Sequence, residues 1–213
     1  MPLSVVLKEL TRPQHDEAEG HPLHVVLEGR SGVEAAREAY VRLLWQHLRI
    51  QEVFEPLLRA ASQKPPGSVL VAVELHCHLE ALRRDLAALP AFPEMAEPLG
   101  ATARFCSFIQ QCAAHDGLGL LGVFYVFEGS TNGGTILAKR IAAVLGLEGG
   151  SATGFINPHG QLVRSRWKEW QRAADSLALR DVDRDIIVAA AQETFRHSRR
   201  VLDEVHGRMQ VRN

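Results

Sequence analysis

The chain has 213 residues with 24 basic and 25 acidic side chains, and its formal net charge is −1 when histidine is neutral. This balance excludes a generally basic nucleic-acid-binding surface, and the longest apolar run, about ten residues, is well short of the roughly 20 needed to cross a membrane. The length suggests a single domain covering residues 1–213 that can bury a full core without disulfides. Three cysteines without a C-x-x-C pair are typical of a reducing compartment, so we expect a soluble cytoplasmic protein.

Apolar residues recur at helical spacing along most of the chain. The predicted helices are Ser4 to about Glu19, Val33 to about Ser62, Ser68 to about Leu89, Leu99 to Ala114, Leu118 to Gly146, Gln161 to Leu179, and Asp181 to Gly207. Pro13 should bend the first helix or split it into two pieces, because proline cannot donate the helical hydrogen bond. Only Thr153–Ile156 resembles a strand. We therefore predict an all-α fold, a single-domain bundle of about seven helices.

The fifth predicted helix contains five glycines between residues 119 and 134, each of which costs roughly 1 kcal/mol relative to alanine inside a helix. Gly122, Val126, Gly129 and Gly133 follow one another at spacings of four, three and four, so they share one face. Such a face could admit a flat ligand close to the backbone, or it could let a second helix pack closely. The spacing alone leaves both interpretations open.

Among the ten histidines, His15 is distinguished by Glu19 four residues later, where a carboxylate can reach the imidazole on the same helix face. Such a partner fixes the protonated ring nitrogen and raises the basicity of the other, as is common for metal-binding histidines. By itself, the pair is better explained as a surface hydrogen bond, and only its combination with other features favours a metal ligand. The remaining histidines are interpreted as surface, capping or core residues; His76 and His78 point to different faces and His159 lies in a loop.

Two segments in this order resemble the heme oxygenase family. The first is residues 7–11 (LKELT) followed by His15 and Glu19, and the second is residues 128–134 (EGSTNGG). Animal-type members carry an aspartate where this chain has Ser130. The motif is more similar to the bacterial, biliverdin-producing branch often associated with phytochromes, which reads Glu-Gly-Ser-x-x-Gly-Gly.

The resemblance implies a role for each matching residue. His15 would be the proximal ligand of the heme iron, with Glu19 as its partner, and Gly129 and Gly133 would lie against the distal face of the heme. Ser130 and Asn132 would hold the waters that bring protons to bound oxygen. Lys8 would reach a propionate, and the remaining implied heme contacts are Tyr125, Val126, Arg166, Lys168, Arg172 and Phe195. Tyr125 and Phe195 could equally be ordinary packing residues. Arg166, Lys168 and Arg172 could equally be solvated surface charges.

The function implied by the resemblance is oxidative cleavage of heme b, which is both cofactor and substrate, to biliverdin, carbon monoxide and ferrous iron. Oxygen is the second substrate. Because the chain has no nucleotide-binding motif, the electrons would come from a separate reductase or ferredoxin. A bacteriophytochrome is an expected recipient of the product. Two alternatives remain at this stage: a non-catalytic heme carrier or sensor on the same fold, and a helical interaction module in which the glycines only pack helices.

Overall fold

A computed structural model describes residues 1–62, 78–90, 97–114 and 117–210. Within these residues all regular structure is helical, which confirms the predicted all-α class. The α-helices of the described residues are α1 (Leu3–Leu10), α2 (Arg12–Glu19), α3 (Pro22–Leu27), α4 (Val33–Ser62), α5 (Leu79–Ala87), α6 (Gly100–Ala113), α7 (Leu118–Leu145), α8 (Val163–Asp175) and α9 (Asp181–Gln210). None of them is long and apolar enough to span a membrane.

The first predicted helix is two helices that meet at Thr11, so the alternative of a split near Pro13 is correct. Proline occupies one of the first two positions of α2, where its missing N–H has no helical partner to lose. The Thr11 hydroxyl donates to the Leu7 carbonyl oxygen at 2.7 Å and closes the end of α1. The break changes the direction of the chain just before His15.

Helix α3 was not predicted, because Pro22 was interpreted as the end of the preceding helix. Proline is equally suited to the first position of a new helix. Here the ring of His21 caps that helix, with its Nδ1 accepting a hydrogen bond from the Leu23 N–H at 3.0 Å. The predicted helix Ser68 to Leu89 is seen as α5, and its first ten residues, with His76 and Cys77, lie outside the described residues, as does His115.

The core is built around α4, α7 and α9, and α7 and α9 form the most extensive helix pair. Their close approach depends on Gly122, because a Cβ there would lie 2.7 Å from the Ala191 nitrogen and even closer to the Ile187 carbonyl oxygen. Gly119 packs against Cys112 of α6 in the same way. For this half of α7, the interpretation of the glycines as helix packing is correct.

Candidate functional site

His15 lies on α2 with 58% of its side chain exposed. Its Nδ1 is 3.5 Å from a carboxylate oxygen of Asp16 and 3.9 Å from one of Glu19. The predicted Glu19 partner is therefore within ion-pair range but beyond hydrogen-bonding distance, and Asp16, which the sequence interpretation overlooked, is nearer. The ring meets Phe195 of α9 edge-on, with centroids 5.9 Å apart and planes at 75°. These contacts fix which side of the imidazole faces the protein.

Tyr125 links α7 to the junction of α1 and α2. Its hydroxyl is 3.4 Å from the hydroxyl of Thr11, and both residues are buried. His15 follows Thr11 by four residues and Gly129 follows Tyr125 by four, so each lies one helical turn beyond this contact on the same helix face. The structure thus brings the histidine segment and the glycine segment to one region of the molecule.

Beyond Val126, which is buried, the glycines on this face of α7 are no longer packed against the backbone of another helix. A Cβ added at Gly129 would lie 3.4 Å from the ring of Trp167, and one added at Gly133 would have no atom of the described residues within 4 Å. Gly134, on another face, is pressed against the Ile156 carbonyl of the following loop. Among the described glycines of α7, Gly133 therefore faces open space and Gly129 faces the Trp167 side chain, and neither is covered by a second backbone segment.

The polar side chains of the glycine motif bond to α7 itself. The Ser130 hydroxyl donates to the Phe127 carbonyl oxygen at 2.7 Å, and the Asn132 amide donates to the Gly129 carbonyl oxygen at 3.0 Å. A serine hydroxyl that donates one hydrogen bond still has lone pairs that can accept another from water. Ser130 is exposed and Asn132 is half-buried, so both can contact a water beside the glycine surface.

An aromatic cluster next to Gly129 was missed in the sequence. Trp167 and Trp170 of α8 stack with centroids 5.0 Å apart and planes at 9°, and each ring lies within 6 Å of the Tyr125 ring. The i, i+3 spacing of the two tryptophans was a signal that could have revealed the pair. Burial raises the pKa of Tyr125, so its hydroxyl stays protonated and can donate a hydrogen bond at neutral pH.

The basic residues implied by the resemblance lie at the surface. Lys8, Lys168 and Arg172 are exposed and have no ion-pair partner among the described residues. Arg166 is half-buried and donates to Glu169 one turn later at 3.0 Å. Lys8 is therefore available to an anionic ligand on α1, and Lys168 and Arg172 are available on α8, whereas Arg166 is shared with Glu169.

His159 lies in a loop, as predicted, but its side chain is not exposed, and His78 is half-buried. Only 6% of the His159 side chain is exposed, and its Nε2 is 2.8 Å from a carboxylate oxygen of Glu128 on α7. The His78 ring lies 5.5 Å from the His159 ring. Glu128 thus points away from the surface of Gly129 and Gly133, as expected from its place on the helix. Residues 31 apart in the chain carry no local signal of this contact.

Together, an exposed imidazole, bare helix backbone, aromatic rings and free cations suit a flat, conjugated, anionic molecule. The imidazole can ligate a metal at the centre of such a molecule, since neutral histidine is a common metal ligand. Planar aromatic rings can pack against the edges of the molecule, and exposed lysine and arginine can pair with its carboxylates. The residues present therefore fit a metalloporphyrin with acidic side chains.

The sequence profile of the family described as heme oxygenase matches residues 1–204. A heme oxygenase from Leptospira interrogans shares 25% identity over 96% of this chain and 100% of its own, with a TM-score of 0.83. Heme oxygenase-1 of the cyanobacterium Synechocystis, solved in complex with heme, has the same fold at 21% identity, with 98% and 94% coverage and a TM-score of 0.83.

A domain of unknown function with a heme oxygenase-like fold from Shewanella denitrificans is also similar, at 20% identity, a TM-score of 0.75, and 99% and 93% coverage. No curated protein sequence matches the chain. The profile match covers nearly the whole chain, whereas the Shewanella domain shows that this fold also occurs where no activity is assigned.

Proposed function

Because the chain belongs to the heme oxygenase family, we propose that it cleaves heme to biliverdin, carbon monoxide and ferrous iron. Oxygen and electrons from a separate reductase or ferredoxin complete the reaction. The observations that support this most are an exposed His15 and the backbone of Gly129, each one turn beyond the contact between Thr11 and Tyr125, with Gly133 one turn further along α7.

In this proposal His15 would ligate the heme iron, and Gly129 and Gly133 of α7 would lie against the porphyrin. Residues at the edges are Tyr125, Val126 and Phe195, and the cations that pair with the propionates are Lys8, Lys168, Arg172 and, shared with Glu169, Arg166. Bound heme supplies an iron that binds and activates oxygen. The protein contributes the position, the protonation state and the access of water.

The carboxylates of Asp16 and Glu19 influence which ring nitrogen of His15 carries the proton. Both lie on the Nδ1 side of the ring, within 4 Å. A carboxylate on that side favours the tautomer with the proton on Nδ1, which leaves the Nε2 lone pair to ligate iron. Because His15 and both carboxylates are exposed in the heme-free chain, these interactions strengthen only when a ligand excludes water from them.

The distal residues act by their small size and by their hydrogen bonds. Without side chains at Gly129 and Gly133, the helix backbone can approach a planar ligand closely. Ser130 and Asn132 each keep part of their hydrogen-bonding capacity for water at this surface. In a chain with serine in place of the distal aspartate, such waters are the proposed source of the protons that the reaction consumes.

The test is a titration of the heme-free protein with heme, followed by ascorbate and air in the presence of catalase. We expect binding at one heme per chain, then loss of the Soret band and appearance of biliverdin. Carbon monoxide is trapped as carbonmonoxy-myoglobin. Catalase removes free peroxide, so any product requires oxygen activated within the protein. Heme that binds but is not consumed would instead indicate a carrier, and no binding would indicate an interaction module.

Two further expectations concern the recipient of the biliverdin and the location of the protein in the cell. We propose that the biliverdin is taken up by a bacteriophytochrome, because residues 128–134 resemble the phytochrome-associated branch. Adding apophytochrome to the reaction tests this, since covalent chromophore assembly should then follow biliverdin release. The cytoplasmic location that the composition suggests stays a prediction.

A further inference from the structure

A second group of metal-binding side chains lies outside the proposed heme site. His78 precedes α5, Glu128 lies in α7, and His159 lies in the loop between α7 and α8. Each offers a ligand atom, and these atoms all lie within 4.8 Å of one another. The closest pair is His159 Nε2 and a Glu128 carboxylate oxygen at 2.8 Å, and the two imidazoles meet edge-on with planes at 74°. Three separate segments therefore converge on one point.

The group is buried, which separates it from ordinary surface clusters. Only 2% of the Glu128 side chain and 6% of the His159 side chain are exposed, and His78 is half-buried. A carboxylate removed from water is costly unless it is paired or coordinates a metal. A cation bound between the carboxylate and the two imidazoles would add to the stabilisation that the carboxylate already has from its hydrogen bond with His159.

The backbone around the group is held in place by contacts that do not involve the three ligands. Asp85 of α5 accepts hydrogen bonds from the N–H groups of Gly154 and Phe155, at 3.1 and 2.7 Å. Thr135 of α7 donates to the Asn157 side chain at 3.1 Å. These bonds join the loop to α5 on one side and to α7 on the other. The ligands are thus arranged before any ion binds.

We propose that His78, Glu128 and His159 bind one divalent first-row transition ion of the Zn²⁺ type. Two imidazoles and one carboxylate form a ligand set that Zn²⁺ and Fe²⁺ use, whereas Ca²⁺ and Mg²⁺ prefer oxygen ligands alone. Metal–ligand bonds of about 2.0–2.2 Å place neighbouring ligand atoms about 3.3 Å apart in a tetrahedral site. The distance between the His159 and Glu128 ligand atoms must therefore increase slightly. The distances from the His78 ligand atom to these two atoms, which are at most 4.8 Å, must decrease. Rotation of the side chains can produce both changes.

Binding replaces a hydrogen bond with two metal–ligand bonds. The ring nitrogen of His159 that binds the ion must offer its lone pair, so the proton of the neutral imidazole sits on the other ring nitrogen, and Glu128 offers a carboxylate oxygen. Water completes the coordination at the remaining position. The ion would then join α5, α7 and the loop after α7, next to Gly129. The inference concerns the heme-free chain and does not depend on the proposed reaction.

The test uses untagged, heme-free, EDTA-treated protein titrated with Co²⁺, followed by displacement with Zn²⁺. We expect one Co²⁺ per chain, with the intense visible bands of four- or five-coordinate cobalt, and loss of these bands when Zn²⁺ is added. His159→Ala and Glu128→Gln should abolish the bands. His15→Ala is the matched control, since His15, Asp16 and Glu19 form the exposed alternative cluster, and it should keep the bands.

His78→Ala resolves the case in which the buried variants fail to fold. His78 is half-buried at the start of α5, and circular dichroism measures whether the variant keeps the fold. In a folded variant Co²⁺ affinity should fall at least tenfold, and Zn²⁺ should not raise the melting temperature, whereas we expect it to do so in the wild-type chain. No Co²⁺ bands in the wild-type protein, or bands lost in His15→Ala but kept in His78→Ala, would overturn the proposal.

Discussion

His15 differs from the core histidines in two respects: more than half of its side chain is exposed, and two carboxylates lie beside the same ring nitrogen. The i, i+4 rule led to Glu19 because those side chains share a helix face. The structure adds Asp16, whose shorter side chain reaches back to Nδ1 from the next position. Sequence spacing thus indicated the kind of partner but not which carboxylate is nearer.

We expect His15→Ala to lose the axial ligand while keeping some affinity for heme, since the cations and aromatic rings remain. The absorption spectrum should lose its histidine-ligated features, and added imidazole should restore them. Turnover should fall by at least about 100-fold, in line with losses seen when catalytic positioning fails. His206→Ala, a half-buried histidine on α9, is the control and should leave the spectrum unchanged. A wild-type spectrum in His15→Ala would refute the ligand assignment.

Helix α7 uses its glycines for two different purposes along one element. Near its start, Gly119 and Gly122 let α6 and α9 approach within contact of its backbone. Further along, Gly133 is exposed, and no atom of the described residues would contact a Cβ placed there. A packing glycine is constrained by neighbouring protein atoms, whereas an exposed glycine inside a helix lowers stability without improving the packing. In the proposed function, heme lies against this exposed glycine.

Alanine substitutions at Gly122 and Gly133 should therefore have opposite effects on stability. Gly122→Ala should lower the free energy of unfolding by about 1–3 kcal/mol, because the new methyl overpacks against α9. Gly133→Ala should raise it by up to about 1 kcal/mol through better helix propensity. Urea unfolding of the heme-free proteins measures both.

The functional consequence at Gly133 is the reverse of its effect on stability. If heme lies against this surface, a bulkier Gly133→Val should impair heme turnover while the heme-free protein remains folded. Unchanged heme binding and turnover in Gly133→Val would argue against a distal face at this position.

At the scale of the whole molecule, folding holds several histidines in the neutral state. The Nδ1 of His47 is buried and has no hydrogen-bond partner in the described part of the chain, and the ring centroids of His47 and Phe155 are 5.0 Å apart. Burial lowers the pKa of His47 from 6.5 to about 4. Burial also lowers the pKa values of His24 and His197. Protonation of these rings favours the unfolded chain, so global stability depends on pH.

The sign of this dependence follows from the His47 values. Between pH 6.5 and 4 the unfolded chain binds a proton that the native chain does not, so the free energy of unfolding falls as the pH is lowered. The loss of unfolding free energy caused by His47 reaches about 3 kcal/mol below pH 4 and vanishes above pH 6.5. Urea unfolding at pH 7 and pH 5 should show a loss of about 2 kcal/mol from this residue. His47→Gln should have a shallower pH dependence, and an equal slope in both proteins would contradict the assignment.

The sequence by itself determined the all-α class, the break near Pro13 and the two segments that carry the family resemblance. These depend on hydrophobic periodicity and on the steric properties of proline and glycine, which act over a few neighbouring residues. The position of Glu19 near His15 followed from the same short-range rules, whereas the nearer Asp16 was seen only in the structure.

Only the tertiary structure decided that Gly119 and Gly122 pack against neighbouring helices, that Trp167 lies over Gly129, and that His159 meets Glu128. The last two contacts depend on the path of the chain between α7 and α8, which has no periodic pattern and includes Ala152 at a positive φ of 57°. Contacts between residues tens of positions apart are set by how whole helices pack. No local propensity encodes them.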